Sequence, residues 1–285
     1  MNINQMAQIF LLGVVAFAVL WFGKYKGFFR WNPNRLWDTS LGLKNVLIAF
    51  ALYFGITNIL GPPLYESMKP FFQNQIGLLS WFNFTYLAFI LVGLLIYCRT
   101  LNKATLSNVW RNTHLAVNYR EDFLFAFYAW TLSFPLVLFV SLFLESFVLL
   151  VFNVPKLPDQ IAVYFVKMTF SDPVYFSLAI VTVVLMAPLI EETLFRGFLQ
   201  SFIRKHLGPK QAILITAICF SWFHYAPDQG LGNIPILGSL FALALFLGFL
   251  YEKQGSLFAS IALHSLFNAI SILNLYFLGG ILSPL

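Results

Sequence analysis

The chain has 285 residues, of which 60% are hydrophobic and only 10% charged, and its mean hydropathy is +0.80. So few charges cannot cover a water-soluble globule of this size, and so apolar a composition is not that of a disordered chain. The net charge of +6 is read as basic loops beside an anionic leaflet, because no nucleic-acid motif accompanies it.

Taken in chain order, eight apolar runs read as spanning helices: 7–22, 45–61, 78–98, 123–145, 174–190, 211–226, 234–251 and 256–278. A span needs about 20 residues, and these runs lack the alternation of barrel strands. The predicted fold is all-α, a polytopic bundle of about eight spans forming one integral membrane domain. Residues 1–150 supply N-terminal helices without a recognised motif, and 151–285 supply a core that carries one. The first run is not a signal peptide, since its charges, Lys24, Lys26 and Arg30, follow it. Cys98 and Cys219 imply no disulfide framework.

The loops give an orientation. Connection 23–44 carries Lys24, Lys26, Arg30, Arg35 and Lys44 against Asp38. Connection 99–122 carries Arg99, Lys103, Arg111 and Arg120 against Glu121 and Asp122, and segment 191–210 carries Arg196, Arg204, Lys205 and Lys210. The alternate connections are poorer in positive charge. The basic ones are therefore expected on the cytoplasmic side, with both termini opposite. The longest connection, 146–173, has room for an interfacial helix.

Polar groups inside lipid are costly and need a reason. His114 and His206 lie in basic loops and read as solvated. His224 and His264 lie within apolar runs. Glu191 and Glu192 follow Pro188, and apolar residues continue after Arg196. On a continuing helix Glu192 and Arg196 stand four apart, on one face, and pair. Glu191 and Arg196 are roughly 140° apart, so Glu191 stays freer and is placed to act as a base. Alone, this cluster reads equally as a charged helix end. Phe220 and His224 share a face, which alone reads as a packed core histidine. His264 and Asn268 also share a face, but His114 and Asn118 show the same spacing in a loop. Glu145 either lines a cavity or marks the end of its span.

Together, Glu191-Glu192-x-x-x-Arg196, Phe220-x-x-x-His224 and His264-x-x-x-Asn268 resemble the CAAX prenyl endopeptidase and bacteriocin-processing (CPBP) family of intramembrane proteases. Gly255-Ser256 before the last span is similar too. The resemblance covers 172–278. It implies hydrolysis of a peptide bond in a prenylated CAAX-type or other hydrophobic peptide. In a compatible mechanism Glu191 and His224 activate a water, and Glu192 with Arg196 fixes the helix face. His264 and Asn268 donate to the carbonyl oxygen. Glu191, His224 and His264 are also the ligand types of some catalytic zinc sites. A metal-independent glutamate mechanism is favoured, with Zn as the alternative and no other cofactor. The expected partners are the peptide substrate and the lipid bilayer, with no nucleic acid. The expected location is a prokaryotic plasma membrane, with the site opening toward the cytoplasm. By helix rise, Glu191 and His224 lie about 20 Å from the basic loops and His264 about 12 Å. Residues 174–205 as one helix would run about 48 Å, which Pro188 could break. Two alternatives stay open: a non-catalytic scaffold or immunity protein of the same fold, and a proton-coupled transporter.

Overall fold

The computed structural model describes residues 3–32, 40–112, 115, 118–277 and 279. Arg35, Asp38 and His114 lie outside the described residues. Among those described there are ten helices, a short 3₁₀ segment at Pro227–Gly232 and no strand beyond an isolated bridge between Arg111 and Ser256. They are α1 (Ile3–Tyr25), α2 (Leu43–Phe71), α3 (Gln75–Thr100), α4 (Lys103–Trp110) and α5 (Tyr119–Val151). Then come α6 (Ile161–Thr169), α7 (Pro173–Leu207), α8 (Pro209–Phe223), α9 (Asn233–Gln254) and α10 (Leu257–Phe277).

Among the described residues seven helical segments are long and apolar enough to cross a membrane. The eighth expected span, 211–226, is the exception. Helix α8 has 15 residues, about 22 Å, and falls short of a hydrocarbon core of about 30 Å. It ends at His224, so this histidine sits at a helix terminus rather than within a span. The chain returns through a turn in which Gly230 takes a positive φ of 49°. Asn233 closes that turn, its Nδ2 donating to Ala226 O at 2.8 Å and Gly230 O at 3.0 Å. Irregular backbone at membrane depth needs such internal partners.

Capping explains several boundaries. The Asn118 side chain accepts from Glu121 N at 3.1 Å and starts α5; this is the asparagine whose spacing from His114 mimics the third motif. Asp172 accepts from Val174 N at 2.9 Å, and Pro173 follows as the first residue of α7. The 146–173 connection contains α6, whose Val163, Val166 and Thr169 are buried at three-residue spacing.

Helix α7 is continuous for 35 residues, about 50 Å. Pro188 does not break it. An interior proline clashes with the carbonyl four residues back and offers no N–H. Here the turn before it is widened over Val181–Met186, where Ala187 N bonds Thr182 O five residues back. In that register the next acceptor, Val183 O, faces Pro188 and has no backbone donor. A second wide stretch covers Thr193–Gln200.

Two apolar clusters flank α7. One joins α2, α3, α7 and α8 through Ala49, Ile90, Leu94, Leu194, Phe198 and Phe220. The other joins α5, α9 and α10 through Ala126, Leu132, Leu243, Leu247, Leu263 and Phe267. One charge assignment is corrected. Arg196 is 0% exposed and Arg204 only 9%, so neither is a loop charge. Segment 191–210 is basic at its surface only through Lys205, Lys210 and the neighbouring His206. Both buried arginines are neutralised by buried glutamates at hydrogen-bond distance.

Candidate active site

Helix α7 presents Glu191, Glu192 and Arg196 between the two clusters. The i, i+4 stride brings Arg196 Nη1 to Glu192 Oε1 at 2.9 Å, both side chains being fully buried. Arg196 Nη2 donates to Ala244 O on α9 at 3.2 Å. Its guanidinium lies over the Phe220 ring at 4.4 Å. A buried ion pair needs such extra partners, because desolvation otherwise cancels the attraction. Phe220 is thus a hub. Its ring meets Phe195 edge-on at 5.2 Å, His264 edge-on at 5.9 Å and His224 at 4.9 Å.

Each imidazole is oriented through Nδ1. His224 Nδ1 lies 2.9 Å from Phe220 O. A carbonyl only accepts, so Nδ1 carries the hydrogen and the neutral ring has its lone pair on Nε2. His264 Nδ1 lies 2.8 Å from Glu192 Oε1, a carboxylate oxygen already shared with Arg196, which assigns the same tautomer. Both Nε2 atoms then face Glu191 Oε2, at 3.6 Å from His224 and 4.0 Å from His264. Glu191 Oε2 is itself buried without a hydrogen-bond donor. Three acceptors therefore converge. The two hydrogens of one water satisfy two of them, and a proton on one imidazole turns that acceptor into a donor.

Asn268 is placed differently from the other motif residues. Its Nδ2 donates to Val183 O at 2.9 Å, the carbonyl that Pro188 leaves without a partner. The structure thus brings Glu191, Glu192, Arg196, His224 and His264 together, and joins Asn268 to the backbone of α7. Among the described residues no group of three or more His, Cys, Asp or Glu is arranged to hold a metal ion.

One cavity reaches the site at His224, and a second lies along α7 and α10 with none of the motif residues in its lining. The first, about 340 Å³, is lined by His224 with Asn83, Thr182, Val183, Ala187 and Gln229. The other, about 640 Å³, is an apolar trough between α5, α7 and α10, lined by Phe123, Leu185, Leu189, Ile261 and Leu266. Arg111 and Ser256 stand at its basic end. There Asp122 Oδ2 accepts from Arg111 Nη1 at 3.0 Å and from Ser256 Oγ at 2.8 Å. Glu145 lines a separate cavity with Lys156 and Asp159.

Comparison with known proteins adds a family likeness. Residues 173–270 match the model of a family described as type II CAAX prenyl endopeptidase Rce1-like. This stretch of the chain is similar to that family. The matched region begins at the first residue of α7 and contains all the motif residues. A UPF0177 protein in the abiGi 5′ region of Lactococcus lactis subsp. cremoris is 30% identical over 90 residues, 32% of this chain and 35% of that protein. The match thus spans about a third of that relative's length. The UPF0177 protein YaiH of Lactococcus lactis subsp. lactis (strain IL1403) is 25% identical over 225 residues, 79% of this chain and 84% of its own. No solved structure matches.

Several polar residues of the matched region escape the motif pattern: Gln200, Arg204 and Glu252 form a second buried cluster. Gln200 Nε2 and Arg204 Nη1 both donate to Glu252 Oε1, at 2.8 and 3.0 Å. The signal of Gln200 and Arg204 was present in the four-residue stride 192, 196, 200, 204, of which the paired-charge reading used only the first step; that of Glu252 was not.

Proposed function

We propose that the protein is an intramembrane endopeptidase that hydrolyses a peptide bond in a prenylated CAAX-type or other hydrophobic peptide. The observation that carries this reading is the convergence of Glu191 Oε2 with the Nε2 atoms of His224 and His264. A water held there donates one hydrogen to Glu191 and one to an imidazole lone pair, leaving its oxygen lone pair for the peptide carbonyl. Glu191 takes the proton of the attacking water and passes it to the leaving amine. Glu192 accepts from His264 Nδ1 and so orients that ring with its Nε2 lone pair toward the water. Arg196 pairs with Glu192 and holds it in place. Asn268 keeps the widened turn of α7 closed through Val183 O, and its second N–H is available to the carbonyl oxygen. No step here uses a metal.

The apolar trough supports a hydrophobic substrate. It passes Leu189, two residues from Glu191, and reaches the basic end at Arg111. Arg111 belongs to the basic connection 99–122, and we read that end as the cytoplasmic one.

The test is cleavage of a fluorogenic prenylated peptide by purified protein in detergent, wild type beside Glu191→Gln, with and without a chelator. We expect kcat to fall on the order of a thousandfold in the variant, with thermal stability kept and no effect of chelator. Equal cleavage by both proteins would sink the role of Glu191. Loss of wild-type cleavage with chelator would replace the glutamate mechanism by a metal one.

A further inference from the structure

Glu192, Arg196, Gln200 and Arg204 stand four residues apart on α7, and all four are buried. Three of them reach α9 at the same stride. Arg196 Nη2 donates to Ala244 O at 3.2 Å, Gln200 Nε2 to Gly248 O at 3.0 Å and Arg204 Nη1 to Glu252 Oε1 at 3.0 Å. Every rung joins residues 48 apart, so the two helices run parallel in one fixed register. Gln200 Nε2 also donates to Glu252 Oε1 at 2.8 Å, tying the second rung to the third. Ser201 anchors this end, donating to Asn108 O at 2.8 Å while meeting Tyr251 Oη at 2.8 Å.

The backbone is shaped to suit. On a regular α-helix each four-residue step overshoots a full turn by roughly 40°, so such a stripe would wind away from α9. The wide turns over Thr193–Gln200 take more residues per revolution and offset that drift. On the facing helix, a Cβ at Gly248 would meet Gln200 Oε1 at 2.7 Å. The glycine is what lets the amide lie against the α9 backbone.

We propose that Gln200 is a positioning residue for the carboxylate–histidine pair. Its rung on Gly248 and Glu252 sets the register of α7 against α9. Through Arg196 and Glu192 that register holds the His264 imidazole with Nε2 toward Glu191. The proposal rests on the reading of Glu191, His224 and His264 as the reactive centre, and adds a residue remote from them that governs their geometry.

The test is nuclear magnetic resonance of ring-¹⁵N-histidine protein in detergent micelles, with the Nδ1–H signals assigned by removing each histidine in turn. Gln200→Met keeps the side-chain length and removes the amide. Gly248→Ala displaces the amide from the other side. We expect the His264 signal to shift in both variants and the His224 signal, whose partner Phe220 O lies within α8, to stay. An unchanged His264 signal in Gln200→Met overturns the proposal. So does an equal disturbance of both histidines with a lowered unfolding temperature, which would make the ladder purely structural. If Gly248→Ala does not fold, the Gln200→Met result decides. On any peptide the wild type cleaves, kcat is expected to fall about tenfold with KM unchanged. The resonance experiment needs no substrate, so failure of the protease reading leaves it interpretable.

Discussion

Helix α1 and the segment Pro227–Gln254 are equally apolar, yet 11% of one is buried within the protein and 61% of the other. The first turns Phe10, Phe17 and Trp21 outward. The second buries Ser239, Ala244, Gly248 and Glu252 among its neighbours. Lipid is as apolar as leucine, so hydropathy brings a helix into the bilayer without drawing it toward another helix. Small residues and polar partners do that. Helix α9 gathers both along one stripe, and Arg196 of α7 lies against it.

The sharpest way to break this contrast is to remove a buried partner. Arg196→Ala leaves Glu192 without its cation and should cost about 3–5 kcal/mol, measured as thermal unfolding in detergent. A variant as stable as wild type would mean that the α7–α9 seam is held by packing alone. Next comes the small-residue contact of α9 with α5. A Cβ at Gly238 would meet Leu144 Cδ1 at 2.2 Å, so Gly238→Ala should destabilise by about 1–3 kcal/mol. The same substitution on the lipid side should reverse sign. Gly55 has helical φ and ψ of −64° and −47° and no atom within 4 Å of a built Cβ. Gly55→Ala should therefore stabilise by about 0.5–1 kcal/mol. The smallest effect belongs to α1. Phe17 is 69% exposed, and Phe17→Ala should shift stability by less than about 0.5 kcal/mol. A larger loss would show that α1 docks through that face.

The amino-acid sequence by itself determined the features that depend on neighbours along the chain. Lipid demands long apolar helices, so seven of the expected spans were legible. The pairing of Glu192 with Arg196 follows from the helical stride alone, and so does the placing of Phe220 beside His224. Tertiary structure decided what lies across helices. It ended α8 at His224, because Asn233 closes a turn that apolar residues alone do not reveal. It brought His264 to Glu192 although helix rise from Ser256 placed it shallower, since crossing and tilt are not written in spacing. It turned Asn268 to Val183 O, the carbonyl exposed by Pro188 and its widened turn. It also buried Arg204 against Glu252, where charge counting had read a loop. Stride and rise are properties of one helix. Register between two helices is fixed by their small residues and hydrogen bonds, and those contacts exist only once the chain is folded.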